Sequence, residues 1–170
     1  MKILFLIPSL HIGGTERQLI ILSKELVKLG NQVTIGYFND GPLSKEIDPK
    51  YIKLRKININ NRKSPFVLLK ITKLISSEDP DIVQTFLSYM DILGGLASFI
   101  LKKPFVLSER SNGINEVDNK IIMFFKYLIL NLSRTIICNS IYAKKFWIKV
   151  SPKSQVIFIP NIVKNNFNHK

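Results

Sequence analysis

Six short runs constrain this chain most: Ile3 to Pro8, Gln32 to Tyr37, Ile82 to Phe86, Phe105 to Ser108, Thr135 to Asn139 and Val156 to Ile159, with a weaker seventh at Tyr51 to Leu54. Most are continuously apolar instead of alternating, the pattern of parallel strands covered on both faces. Helical spacing fills the gaps. Leu19, Leu22, Leu26 and Leu29 recur every three or four residues over a helix from Glu16 to Leu29, and Gly30 stands where a left-handed C-terminal cap belongs. Ser64 as cap and Pro65 as first residue open a second helix. A third begins at Asp91 and carries Gly94, Gly95, Ala97 and Ser98, small residues that let a helix lie close on a sheet; two more run from about Asp118 to Leu132 and from Ser140 to Val150. Strands alternating with helices imply right-handed crossovers and an α/β fold with a doubly wound parallel sheet. The stretch ININNRKS, residues 57–64, reads as a mobile loop, and NNFNHK at the end as a frayed tail.

A chain of 170 residues that is 46% hydrophobic and 22% charged is globular in composition and large enough for one cored domain. No apolar run approaches the roughly 18 to 20 residues that span a bilayer, so a soluble protein is expected. MKILFLIPSL imitates a signal peptide, but the run is short, contains Pro8 and leads into an amphipathic helix, so it reads as a first strand. One cysteine, Cys138, excludes an internal disulfide framework and fits a cytoplasmic protein. The net charge of +13 favours anionic partners. The lysines are spread over many segments without a compact stripe of arginines and aromatics, which argues against nucleic acid and leaves anionic substrates, a membrane surface or plain solvated charge. Residues 119–132, NKIIMFFKYLILNL, have Lys120 and Lys126 as their only charges. They form either a core helix or one with a face in a lipid interface.

In an open parallel sheet, ligands bind beyond the carboxyl ends of the strands. Those positions hold Ser9, His11, Gly13, Gly14 and Thr15 after the first strand, and Gln84, Thr85, Ser88, Tyr89 and Asp91 at the fourth. They also hold Ser108, Glu109 and Arg110 after the fifth strand, Asn139 and Ser140 after the sixth, and Pro160 and Asn161 after the seventh. Each has a local alternative, such as an N-cap for Asp91 or Ser140, but their common edge points to a cleft. Gly13 and Gly14 could serve a phosphate by permitting positive φ and letting a ligand approach the free N–H groups of the following helix; a plain tight turn is the other reading. The spacing is neither GxGxxG nor a P-loop. Glu109 and Arg110 could clamp a substrate, Arg taking phosphate or carboxylate and Glu sugar hydroxyls, or be an ordinary surface pair. His11 and His169 lie far apart and no metal or nucleophile constellation appears.

Taken together, IPSLHIGGTERQLIILSKELVKLGNQVTI, PDIVQTFLSYMDILGG, PFVLSERSN, IICNSIYAKKFW and VIFIPNIV resemble, in order, the N-terminal half of glycosyltransferase family 4, retaining nucleotide-sugar enzymes of GT-B fold. The resemblance implies a single Rossmann-like domain over residues 1–163 with a tail at 164–170, half of a GT-B fold whose second, nucleotide-sugar domain is absent. It implies that Gly13, Gly14 and Thr15 meet the donor diphosphate, and that Ser88, Tyr89, Asp91, Glu109, Arg110 and Asn139 line the acceptor cleft. The donor would be a nucleotide diphosphate sugar, with no cofactor or metal, and the acceptor a glycan or lipid-linked glycan in polysaccharide synthesis. The expected setting is cytoplasmic, with peripheral attachment to the anionic inner face of the membrane and a separate C-terminal glycosyltransferase domain as partner. Such a domain alone should not turn over donor. Relatives often carry a histidine where this chain has Tyr89, and their PN-G-V-D is here Pro160, Asn161, Ile162, Val163, Lys164. A non-catalytic phosphate-binding module or an inert remnant is the alternative.

Overall fold

The computed structural model describes residues 1–59, 61, 64–110 and 120–162, without the side chains of 120–123. The elements are β1 (Lys2–Ser9), α1 (Gly14–Lys28), β2 (Gln32–Asn39), a 3-10 turn (Pro42–Glu46), β3 (Ile52–Lys56), α2 (Phe66–Glu78), β4 (Ile82–Phe86), α3 (Ser88–Ile100), β5 (Phe105–Glu109), α4 (Lys120–Leu132), β6 (Thr135–Cys138), α5 (Ile141–Val150) and β7 (Gln155–Phe158). The strands form one sheet in the order β3-β2-β1-β4-β5-β6-β7. Each neighbouring pair is parallel. This is the 3-2-1-4-5-6 order of doubly wound sheets, extended by one strand.

The continuous apolar strands have the explanation their composition implies, because side chains of successive residues feed two cores. Phe5, Ile7, Leu19, Ile20, Ile35 and Phe86 pack on the α1 side; Leu4, Leu6, Ile71, Val83, Leu107, Ile136 and Trp147 pack on the side of α2 to α5. The small residues of α3 bring it close. A Cβ on Gly94 would lie 2.8 Å from Leu6 and from Thr85, and one on Gly95 would lie 2.4 Å from Ile129 of α4. Gly30 takes the left-handed conformation expected of a cap, with φ +82°.

Three helix starts shift from expectation, and one element is added. The third helix starts at Ser88, so Asp91 lies inside its first turn and is no cap. The first helix starts two residues early, at Gly14. A 3-10 turn with Pro42 in its first turn fills the β2–β3 connection. The second helix starts at Phe66 with Pro65 in the N-cap position, one residue later than expected, and the Ser64 hydroxyl accepts from Phe66 N–H at 3.3 Å. The 57–64 loop falls partly, and the boundary at 163 and the tail wholly, outside the described residues.

Candidate functional site

β1 lies between β2 and β4, and the crossovers leaving it and β4 run to opposite faces, so a crevice opens between the loops that follow these two strands. On the β1 side the chain turns through exposed His11 and Ile12 into Gly13, the N-cap of α1. Gly13 is extended, with φ −156°, so positive φ is not what the turn requires; among the described glycines only Gly30 has it. A Cβ at Gly13 would instead sit 2.2 Å from Oε2 of Glu16, which folds back over the turn. Gly14 is exposed and a Cβ there would meet nothing within 4 Å. Of the two glycines, Gly14 is thus the open approach to the positive end of α1, flanked by half-buried Thr15 and by the acidic Glu16 of the first turn.

Across the crevice, Leu87 links β4 to α3 with φ +71° and ψ +144°, a conformation that L side chains rarely adopt and that accumulates at functional sites. Ser88 and Tyr89 follow, half-buried. Beneath them lies a cluster of charges. Thr85 Oγ1 donates to Asp91 Oδ1 at 2.7 Å. Lys126 Nζ donates to Glu109 Oε2 at 2.7 Å and to Ser88 Oγ at 3.0 Å, and stands 3.9 Å from Asp91 Oδ2. The side chains of Lys126, Asp91 and Glu109 are 5%, 2% and 4% exposed. The ammonium also sits 5.7 Å from the ring centre of Trp147. Burial pushes the Asp91 carboxyl up to about 7, against the opposing pull of Lys126. Burial, with Glu109 nearby, raises the Cys138 thiol to about 12, which keeps it an inert core residue.

Strand geometry separates Glu109 from Arg110, so the expected two-residue clamp does not assemble. Neighbouring residues of an extended chain point to opposite faces. Glu109 turns under the sheet edge to Lys126 and is 4% exposed, neither a surface ion nor a cleft lining. Arg110 turns to the other face, 5.6 Å over the ring of Phe86, and its Nη1 donates to Asn161 Oδ1 at 2.9 Å. Asp91 is likewise beneath the edge, while Ser88, Tyr89, Arg110 and Asn139 are half-buried on it. Ser140 is a true N-cap, its hydroxyl accepting from Ala143 N–H at 3.1 Å.

Lys126 is the site residue that the sequence reading did not assign to the site, leaving its helix as either a core helix or one with a face in a lipid interface. A lysine in mid-helix among apolar residues, three and four residues before the buried Ile129 and Leu130, was its only local mark. The outer side of α4 is apolar and exposed, with Phe124, Phe125, Tyr127, Leu128 and Leu132. No group of three metal-ligating side chains occurs among the described residues. A cavity of about 630 Å³ beside Lys2, Asn31, Lys53 and Glu78 lies at the amino ends of the strands, the edge opposite to the one where such sheets bind ligands.

The landmarks of this edge fall within residues 12–166, which match the profile of Glycosyltransferase Family 4. The chain belongs to that family. This chain is 29% identical over 134 residues to UDP-N-acetylglucosamine--N-acetylmuramyl-(pentapeptide) pyrophosphoryl-undecaprenol N-acetylglucosamine transferase of Wigglesworthia glossinidia brevipalpis, covering 71% of this chain and 37% of that one. Its fold superposes on HepE of Anabaena, solved with UDP and glucose, at a TM-score of 0.75 and 22% identity over 93% of this chain and 44% of that one. A glycosyltransferase from Rickettsia africae gives 0.70 at 26% identity over 94% and 42%. The chain thus spans less than half the length of these relatives, and its Rossmann-like sheet corresponds to one half of the GT-B fold. No described helix is long and apolar enough to cross a membrane.

Proposed function

We propose that this domain is the acceptor-side half of a retaining family 4 glycosyltransferase, completed by a second domain that carries the nucleotide diphosphate sugar. The observation that carries the reading is the switch-point crevice. One wall is the start of α1, where Gly14 leaves open space for a diphosphate to approach the helix N-terminus. The other is a polar edge of Ser88, Tyr89, Arg110 and Asn139 that can hydrogen-bond a sugar acceptor. Gly13 and Thr15 shape the phosphate wall. Asp91 and Glu109 act from beneath, holding Ser88 in place through Lys126. Relatives solved with UDP or UDP-glucose, and the curated relative named for transfer to a pyrophosphoryl-undecaprenol acceptor, support a nucleotide-sugar donor and a lipid-linked or polysaccharide acceptor.

Fusion of residues 1–162 to the C-terminal half of HepE tests this. Transfer or hydrolysis of UDP-glucose by the fusion, lost on Gly14→Val, is the expected result, and turnover by the 170 residues alone would overturn the two-domain reading. The exposed apolar side of α4 on a chain of net charge +13 supports peripheral attachment to an anionic membrane face on the cytoplasmic side. Sedimentation with anionic but not neutral vesicles, reduced by Phe124→Ser/Phe125→Ser, is expected; equal and negligible binding to both removes this part.

A further inference from the structure

The polypeptide leaving β7 stays on the domain. Ile159 N–H donates to the Cys138 carbonyl at 2.9 Å, continuing the β6 pairing for one residue. Two residues on, Asn161 Oδ1 accepts from Arg110 Nη1 at 2.9 Å. One residue later, the carboxamide of Gln18 makes a reciprocal pair with the main chain of Ile162: Gln18 Nε2 donates to the carbonyl at 2.7 Å, and Ile162 N–H donates to Gln18 Oε1 at 2.8 Å. Residues 159–162 therefore pass from the end of β6, over the end of β5, to the second turn of α1.

The two anchors read different things. A carboxamide offers the same donor and acceptor as a peptide group, so Gln18 pairs with an extended backbone as a neighbouring strand would, whatever the side chain at 162. Arg110 reads the side chain of Asn161 by a charge-assisted bond, while Phe86 holds the guanidinium in place. The side chain of Ile162 remains 53% exposed, at the end of a groove of about 890 Å³ along α1 beside Arg17, Ile21 and Lys24, so the main chain rather than apolar burial makes the contact.

We propose that Gln18 and Arg110 form a clamp for the polypeptide that follows β7 in this chain, fixing the start of whatever lies beyond Ile162 beside the Gly13–Gly14 turn. Gln18 is one turn along α1 from that turn, so the clamp sets the side from which the continuing chain meets the crevice. Its use in presenting a second domain to the glycine turn rests on the function proposed above; the clamp itself does not. Solvent-exposed hydrogen bonds contribute little individually, and the ordering of Pro160 to Ile162 opposes them, so loss of either anchor should release the segment.

Amide hydrogen exchange on the full 170-residue chain, read by NMR, tests the clamp. The Ile162 amide is expected to exchange about tenfold more slowly in the wild type than in Gln18→Leu, the effect of losing a typical hydrogen bond. Gln18→Glu keeps the acceptor for Ile162 N–H but loses the donor and is expected to fall between them. Asn161→Ala should accelerate the same amide with the sheet amides unchanged. Equal exchange at Ile162 in the wild type and Gln18→Leu would overturn the proposal. If the leucine variant loses helical circular dichroism, the Gln18→Glu and Asn161→Ala comparisons decide, and no acceleration in either overturns it. The readout needs no donor sugar, so failed glycosyl transfer leaves the clamp standing, and an absent clamp leaves the proposed function standing.

Discussion

The β1 wall of the crevice is made of backbone, with an exposed Gly14 and a first helical turn open to solvent, whereas the β4–β5 wall is supported by side-chain charge buried to within a few per cent of complete exclusion. The first is open at Gly14 and covered at Gly13 by the Glu16 carboxylate. The second can hold its edge groups only as long as a lysine and two carboxylates stay together. A crevice of this kind separates the two demands on a binding site: approach is left to glycine, and rigidity to a charge cluster.

The contrast breaks or holds first at Lys126. Lys126→Met leaves Asp91 and Glu109 buried without the cation between them and is expected to cost about 3–5 kcal/mol, seen as a lower urea midpoint. Gly14→Ala, with open space around it, should change stability by well under about 1 kcal/mol. Equal effects of the two would erase the distinction between the walls.

A second effect concerns pH. With its carboxyl raised from 3.8 to about 7 by burial, Asp91 binds a proton in the folded chain that the unfolded chain has already lost between about pH 4 and 7. Its contribution to stability therefore declines as pH rises through that window. Asp91→Asn cannot titrate, so the melting temperature of the wild type relative to this variant should fall from about pH 4.5 to 7.5. A pH-independent difference would remove Asp91 from the titration.

Leu87 sharpens the comparison from the backbone side. Leu87→Gly and Leu87→Ala lose the same side-chain packing, but only alanine retains the strain at φ +71°. The glycine variant is expected to be the more stable by about 1 kcal/mol, the reverse of the ordinary order, as measured by chemical unfolding. A smaller effect belongs to Gly13→Ala, which displaces the Glu16 carboxylate from the first turn of α1 at a cost of about 0.3–1 kcal/mol. It should still exceed that of Gly14→Ala in the same assay.

Much of the first wall was legible in the sequence because glycines between an apolar run and a leucine-spaced helix mark a turn directly. Their reason was only partly legible: close packing of Glu16 on Gly13, not positive φ, occupies one of the two. The second wall left fainter marks. Asp91 and Glu109 stood out by following strands, but as cleft-lining groups, because nothing local shows that a side chain will be covered. Lys126 lies 17 residues from Glu109 and 38 from Ser88, too far for any periodicity to connect them. Leu87 carried no mark, since leucine is not a residue associated with positive φ.

The sequence by itself determined the alternation of strands and helices, the parallel sheet buried on both sides, the helix cap at Gly30, and membership of glycosyltransferase family 4. These follow from spacings of two to four residues and from ordered landmarks, which a linear chain displays. Only the tertiary structure decided that Glu109 and Arg110 part to opposite faces of the edge, that Lys126 joins a cluster beneath the crevice, and that Asn161 and Ile162 return to Arg110 and Gln18. Burial and ion pairing depend on which strand neighbours which, and the order β1-β4-β5-β6 brings distant residues within hydrogen-bond reach that the chain itself keeps apart.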